Sequence, residues 1–390
     1  MDKKAVGEIR KILMKNDCRI DKITGVFVDE QGQVITELKD TWRALAEEEV
    51  EKYCEIFRKT LTGKLGKNLY NMEFPLNEEA DGGNQNILFQ ILDDQFENRA
   101  MLKGFFQKIM DTAKMPGRYL ILLAHGAYDI PAKTSDGQDL DDASEYVYFF
   151  MVGCICPVVE VKEGLCFDEE TLTFVNKRSD LGVQMPEAGF LFPAFNDRMP
   201  DIHSLLWYAK KEDERHTELI DALIGENCDR PLTEKAQQEV FSAVVEQTLG
   251  RDCNFENVMS LTQSLDETIK QEKDDPEPYE LGKTEVRRLL SESGASPDTI
   301  NRNFEEVFDE QVGEGKAFTA ENLGGRSTVQ IKSPSIKITA KSDVASIITS
   351  KVIDGREYIL IPVQDDIELN GIRILPKLSG SRMKDPAEEA

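Results

Sequence analysis

GFLFPAFNDRMPDIHSLLWYA, residues 189–209, sets two apolar runs on either side of a polar stretch. Both runs are short and rich in aromatic and branched residues, as buried strands are. Six residues, Asn196 to Asp201, separate GFLFPAF from IHSLLWYA. A parallel neighbour needs a crossover of about a dozen residues or more, so this pair predicts adjacent antiparallel strands. Asn, Asp and Pro suit the connection because they satisfy or pre-set the backbone of tight turns.

Upstream, RYLILLAHGAYDI from Arg118 and EYVYFFMVGCICPVVEV from Glu145 read as two further long strands, joined by the polar loop KTSDGQDLDDAS. CFDEETLTFV reads as a small hairpin, and RIDKITGVFVDEQGQVITEL as another with its turn at Glu30–Gln33. Loops this short exclude βαβ crossovers. The fold class expected is therefore α+β: an antiparallel sheet packed on one face by helices at Ala44–Thr62 and, as a pair, Asn84–Ala113, whose apolar residues recur at helical spacing.

Beyond Lys211 the period is helical. EDERHTELIDALIG stops at Gly225, PLTEKAQQEVFSAVVEQTLG starts at a Thr233 N-cap and ends at Gly250, and NFENVMSLTQSLDETIK follows. KDDPEPYE, acidic and twice interrupted by proline, marks a linker. A short helical pair then has Ser296 as N-cap and Pro297 at the first helical position. The C-terminal stretch, RSTVQIKSPSIKITA to YILIPVQDDIELNGIRIL, is strand-rich with a turn at Asp354-Gly355. The expected division is 1–210 sheet domain, 211–272 helical region, 273–282 linker, 283–320 helical pair, 321–376 β-rich module and 377–390 disordered tail.

At 390 residues, with 40% hydrophobic and 31% charged residues, the chain is long enough for two or three domains with real cores. Its apolar runs are far shorter than the ~20 residues of a membrane span, and MDKKAVGEIRKILMK reads as a short amphipathic helix, so no membrane association is expected. Seven cysteines without a dense framework suit reduced thiols, hence a cytoplasmic location. Cys154 and Cys156 would share one strand face as small buried hydrophobes.

A formal net charge of -26 opposes any global attraction to phosphate backbones or anionic membranes. The charge is segregated, however. Arg58, Lys59, Lys64 and Lys67 lie in RKTLTGKLGK, which has no acid, and Arg326, Lys332, Lys337, Lys341 and Lys351 face Asp343 alone between Gly324 and Lys351. TGKLGKN lacks P-loop spacing, yet mobile ammonium groups contact a phosphate backbone without strict geometry. The plainer reading makes Arg58, Lys59 and Lys64 partners of a helix C-terminus.

The most enzyme-like cluster is the loop Asn196–His203, where Asp197, Asp201 and His203 would serve acid–base or metal chemistry if the fold brings them together. The plainer reading is a turn with Asn196 and Asp197 capping backbone donors and Arg198 paired to a carboxylate. His125 and Asp129 lie four apart, with a locally bonded strand histidine as the simpler account, and His216 falls in a charged helix. SDGQDLDDASE carries five carboxylates but not the EF-hand order of calcium ligands. No nucleophile elbow, kinase signature, GxGxxG or zinc-protease motif is present, so no cofactor and no metal site is expected.

GKNLYNMEFP, RYLILLAHGAYDIPAKTSDG, GFLFPAFNDR with DIHS, and KDDPEPYELGKTEV together resemble a bacterial domain-of-unknown-function family, number four-three-one-seven, over most of the chain. That resemblance implies no activity. In layout, from helical start through strand meander to LTEKAQQEVFSAV and the strands SIKIT and YILIPV, the chain is also similar to spermidine-nucleoid-type nucleoid-associated proteins. This implies an acidic, dimeric, cytoplasmic DNA-binding protein and transfers no residue. The leading expectation is a non-enzymatic protein that meets nucleic acid through Arg58, Lys59, Lys64 and Lys67 and through Lys332, Lys337 and Lys341. The rivals are a metal-dependent hydrolase or nuclease centred on Asp197, Asp201 and His203, and a regulatory module whose acidic surface engages a protein partner.

Overall fold

The computed structural model describes residues 1–14, 18–38, 42–133, 139–161, 164–168, 173–177, 180–211, 216–272, 278–313, 315–325, 327–342, 347–362, 367–369 and 371–374. They form two compact units, the first built on Met1–Glu239 and the second drawn from Val240 onward.

The first unit opens with α1 (Lys3–Lys11), capped by the Asp2 carboxylate, which accepts from Ala5 N–H. The expected hairpin follows as β1 (Ile20–Val28) and β2 (Val34–Leu38), with Gly32 in the left-handed conformation its turn requires. Next come α2 (Glu47–Lys59), β3 (Leu69–Glu73), α3 (Asn84–Asp93) and α4 (Arg99–Ala113), so the helical stretch at 84–113 is two helices as its periodicity indicates. Strands β4 (Arg118–Lys133) and β5 (Asp139–Val161) are the long pair, β6 (Gly164–Asp168) and β7 (Thr173–Lys177) the small hairpin. The unit continues through β8 (Asp180–Val183), β9 (Ala188–Phe192), β10 (Ala194–Asn196), β11 (Met199–Asp201), β12 (Ser204–Ala209) and α5 (Thr217–Leu223).

The main sheet is antiparallel and runs β2-β1-β4-β5-β9-β12-β3, with β8 added on β5. Thus β9 and β12 are neighbours, as the opening stretch predicts. Between them β10 and β11 form their own hairpin, in which Asp197 and Arg198 are both left-handed, the signature of a type I′ turn.

Helices cover both faces of this sheet, not one. In YLILLA of β4, Leu120, Leu122 and Ala124 face a core shared with α1 and α2, while Ile121 and Leu123 face a core shared with α3, α4 and α5. A strand with no polar alternation needs a partner layer on each side. The acidic stretch after Lys133 also differs from the loop expected there. Its backbone from Asp139 onward belongs to β5, paired back to Lys133, and residues 134–138 lie outside the described ones.

The second unit has a helical core. The C-terminal part of α6 (Glu234–Leu249), with α7 (Phe255–Gln271), β13 (Glu280–Leu281), α8 (Lys283–Glu292), α9 (Pro297–Gln311), β14 (Phe318–Thr319) and α10 (Ala320–Leu323), gathers Val244, Leu265, Leu289, Phe304, Phe308 and Phe318. Thr233 caps α6 through its hydroxyl, Ser296 precedes α9 with Pro297 at the first position, and Gly225 follows α5 in the left-handed region, each as expected. The strand β13 falls inside the stretch expected as linker, whose residues 273–277 are not among those described.

Three hairpins end the described chain: β15 (Thr328–Lys332) with β16 (Lys337–Lys341), β17 (Thr349–Ile353) with β18 (Arg356–Leu360), and β19 (Ile367–Leu369) with β20 (Ile372–Ile374). The expected turn at Asp354-Gly355 joins the middle pair, with both residues at positive φ. The C-terminal tail expected to be disordered lies outside the described residues.

Candidate functional site

The ladder of β15 and β16 sets Lys332 opposite Lys337, Gln330 opposite Thr339 and Thr328 opposite Lys341. Directly opposed residues of an antiparallel pair share a face, and so do residues four apart on one strand. Lys332, Lys337 and Lys341 therefore stand together on one polar face, over a length of roughly 13 Å for four residues of strand. Val329, Ile331, Ile338 and Ala340 take the other face and are half-buried, whereas all three lysines are exposed. Among the described residues none of the three is in a salt bridge. Like charges directly opposed repel, so this arrangement costs the hairpin stability and leaves a concentrated positive potential.

The middle hairpin repeats the pattern in part. Lys351 opposes Tyr358 and Arg356 opposes Ile353, so Lys351, Arg356 and Tyr358 share a face. Arg356 and Tyr358 are absent from the residues that sequence reasoning selects. Only the register, set by the Asp354-Gly355 turn, aligns them with Lys351.

Arg58 and Lys59 occupy the last turn of α2, half-buried, where cations complement the helix dipole. Lys67 is paired with Glu234 at 3.1 Å. The first basic stretch thus has part of its charge compensated within the fold.

In the loop Asn196–His203, Asp201 accepts from Asn196 Nδ2 at 2.7 Å and from the His203 N–H at 3.0 Å. Burial pushes its carboxyl up, but hydrogen bonds from Ser204, Asn196 and the His203 backbone outweigh this and hold it below the ordinary aspartate value. His203 points its Nδ1 to Glu79 Oε1 at 2.7 Å, and Asp197 is exposed at the hairpin turn. Arg198 reaches Glu8 of α1 at 3.1 Å and donates to the Pro131 carbonyl at 2.8 Å. Asp201 is thus held within its own loop and His203 by Glu79, while Asp197 stands exposed at the turn. Among the described residues no group of three or more His, Cys, Asp or Glu is placed to hold a metal ion.

His125 is buried, but its partner is Asp21 of β1, 104 positions away, not a local group. Cys154 and Cys156 share one buried strand face with sulfurs 3.8 Å apart, as their spacing predicts. Cys18 and Cys54, unremarkable in the sequence, bring their sulfurs to 3.2 Å. No described helix is long and apolar enough to cross a membrane.

Compared with known proteins, the chain matches the model of one family, described as "Domain of unknown function (DUF4317)", over residues 1–372. No curated protein matches it.

Proposed function

We propose, from the premise that the chain belongs to the domain-of-unknown-function family DUF4317, that it is a non-enzymatic cytoplasmic protein that associates with nucleic acid. The surface that carries this reading is the lysine face of the β15–β16 hairpin. A two-stranded ribbon presenting Lys332, Lys337 and Lys341 on one side, none of them in an ion pair among the described residues, suits a phosphate backbone. Gln330, Thr328 and Thr339 on the same face add hydrogen-bonding groups that serve phosphate and sugar oxygens. Arg58 and Lys59 are secondary contacts, since Lys67 beside them is already paired.

The chain's excess acid sets the character of the binding. A net charge of -26 repels nucleic acid at a distance, so contact is local, of modest affinity and strongly salt-dependent. Fluorescence anisotropy of the full chain with a labelled DNA duplex, repeated over a range of salt, tests this. Changing Lys332, Lys337 and Lys341 together to Ala weakens binding and lowers the slope of log affinity against log salt by about one per lysine. Arg58→Ala with Lys59→Ala has the smaller effect. A triple variant that binds with unchanged slope, or a wild-type chain with no affinity at low salt, overturns the proposal.

A further inference from the structure

The sheet face covered by α3 and α4 changes character along the β4–β5 ribbon. Opposed residues share a face, so the rungs His125–Met151, Ala127–Phe149 and Asp129–Val147 follow one another on that side. Met151 is buried in the core, while Phe149 and Val147 are 47% and 43% exposed. Beyond the core's end lies a cleft of about 330 Å³. Phe89 of α3, Val147 and Phe149 of β5 and Ile202 beside β11 give it apolar walls, while His125, Asp93 and Gln95 supply polar groups. Its size falls at the lower end for small-molecule sites, which are typically apolar with few placed polar groups.

His125 is the group that such a site is built around. Its side chain is 1% exposed, yet it lines the cleft. Nδ1 lies 2.6 Å from Asp21 Oδ1, and the ring sits edge-on to Phe96 with centroids 5.9 Å apart. Phe96 and Gln95 before it are both left-handed, at φ 69° and 52°, a conformation that non-glycine residues hold only where their surroundings enforce it. Here it swings Phe96 back from the end of α3 onto the imidazole. A carboxylate at Nδ1 places the proton there and leaves Nε2 as an acceptor in the neutral ring. Among the described residues Nε2 has no hydrogen-bond partner.

We propose that this cleft binds a small neutral aromatic molecule carrying a hydroxyl group, of the phenol class. The hydroxyl donates to His125 Nε2, and the ring lies between Phe89 and Phe149. In that tautomer His125 Nε2 accepts, so the ligand group that meets it donates, while Gln95 beside it can donate or accept. Asp93, with the anionic charge of the whole chain, disfavours a carboxylate or phosphate in the same place. The inference stands apart from the nucleic-acid reading, since it uses none of the lysines.

The test uses the full chain and a matched set of probes: 4-ethylphenol, ethylbenzene and 4-ethylbenzoate, titrated by NMR with the imidazole nitrogens of the protein's histidines observed directly. Expected is binding of the phenol roughly three- to tenfold tighter than ethylbenzene, the range one neutral hydrogen bond supplies, with weakest binding of the benzoate and a shift of the His125 Nε2 resonance. Phe149→Ala weakens phenol and ethylbenzene alike, whereas His125→Phe removes the difference between them. Should His125→Phe misfold, the Nε2 shift in the unmodified protein decides the matter. Preference for the benzoate, equal affinity for phenol and ethylbenzene, binding without an Nε2 shift, or no binding at millimolar probe each overturns the proposal.

Discussion

His203 carries the clearest single-residue signature of the polar loop between β9 and β12. Its hydrogen bond to Glu79, with that carboxylate's charge, raises the imidazolium pKa above the ordinary histidine value. A raised folded-state pKa contributes stability that is fully present below the unfolded value near 6.5 and is lost as pH climbs through the folded one. Glu79→Gln therefore costs more stability at pH 5.5 than at pH 8.5. The difference stays below about 1 kcal/mol, because the imidazole is largely solvent-exposed. Urea unfolding at both pH values, with an NMR titration of His203, checks this; an equal cost at the two values would contradict it. At this scale the loop's residue types were legible as turn formers and cappers. That Asp201 would bind its own loop while His203 turned to Glu79 was not, because Glu79 lies 124 positions away.

Two glycines show how elements set opposite demands on the same residue. Gly153 of β5 faces Phe190 across the β5–β9 pair, and a Cβ there would press on that ring and, at 2.9 Å, on Leu123 Cδ2. Gly153→Ala should cost about 1–3 kcal/mol, the usual range for overpacking a filled core. Gly104 sits on the exposed face of α4 with nothing within 4 Å of the place a methyl group would take, so Gly104→Ala should stabilise by about 1 kcal/mol through helix propensity. Chemical denaturation of both variants checks the pair, and a stabilising Gly153→Ala would contradict the close β5–β9 packing. Most elements were legible because helical and strand periods and their stops are local. The second helical layer was missed although its signal was present: an unbroken YLILLA strand buries both faces. The lysine face of β15–β16 needed the register, since Lys332 and Lys337 lie on different strands and only pairing relates them.

Across the whole molecule, salt should act in opposite directions on stability and on nucleic-acid binding. With 73 acidic against 47 basic side chains, the folded chain repels itself, and raising NaCl from about 0.1 to 1 M shortens the screening length from ~10 to ~3 Å. The melting temperature should rise, by about 2–4 °C for each kcal/mol relieved in a unit of this size. Anisotropy over the same salt range should show DNA affinity falling steeply. Calorimetry showing a falling melting temperature would mean that the many ion pairs of the fold, such as Lys283 with Asp309 and Glu305, outweigh the net repulsion.

The sequence by itself determined the α+β class, the antiparallel neighbours β9 and β12, most helix limits and the strand-rich C-terminal stretch with its Asp354-Gly355 turn, since each rests on periodicity, capping or turn chemistry within a few residues. Only the tertiary structure decided which side chains meet. It placed His125 against Asp21 at a cleft, brought the sulfurs of Cys18 and Cys54 together, and paired Lys67 with Glu234 while leaving Lys332, Lys337 and Lys341 together on one face. Those outcomes depend on strand pairing and packing between segments far apart in the chain, and no local pattern of residues encodes such distances.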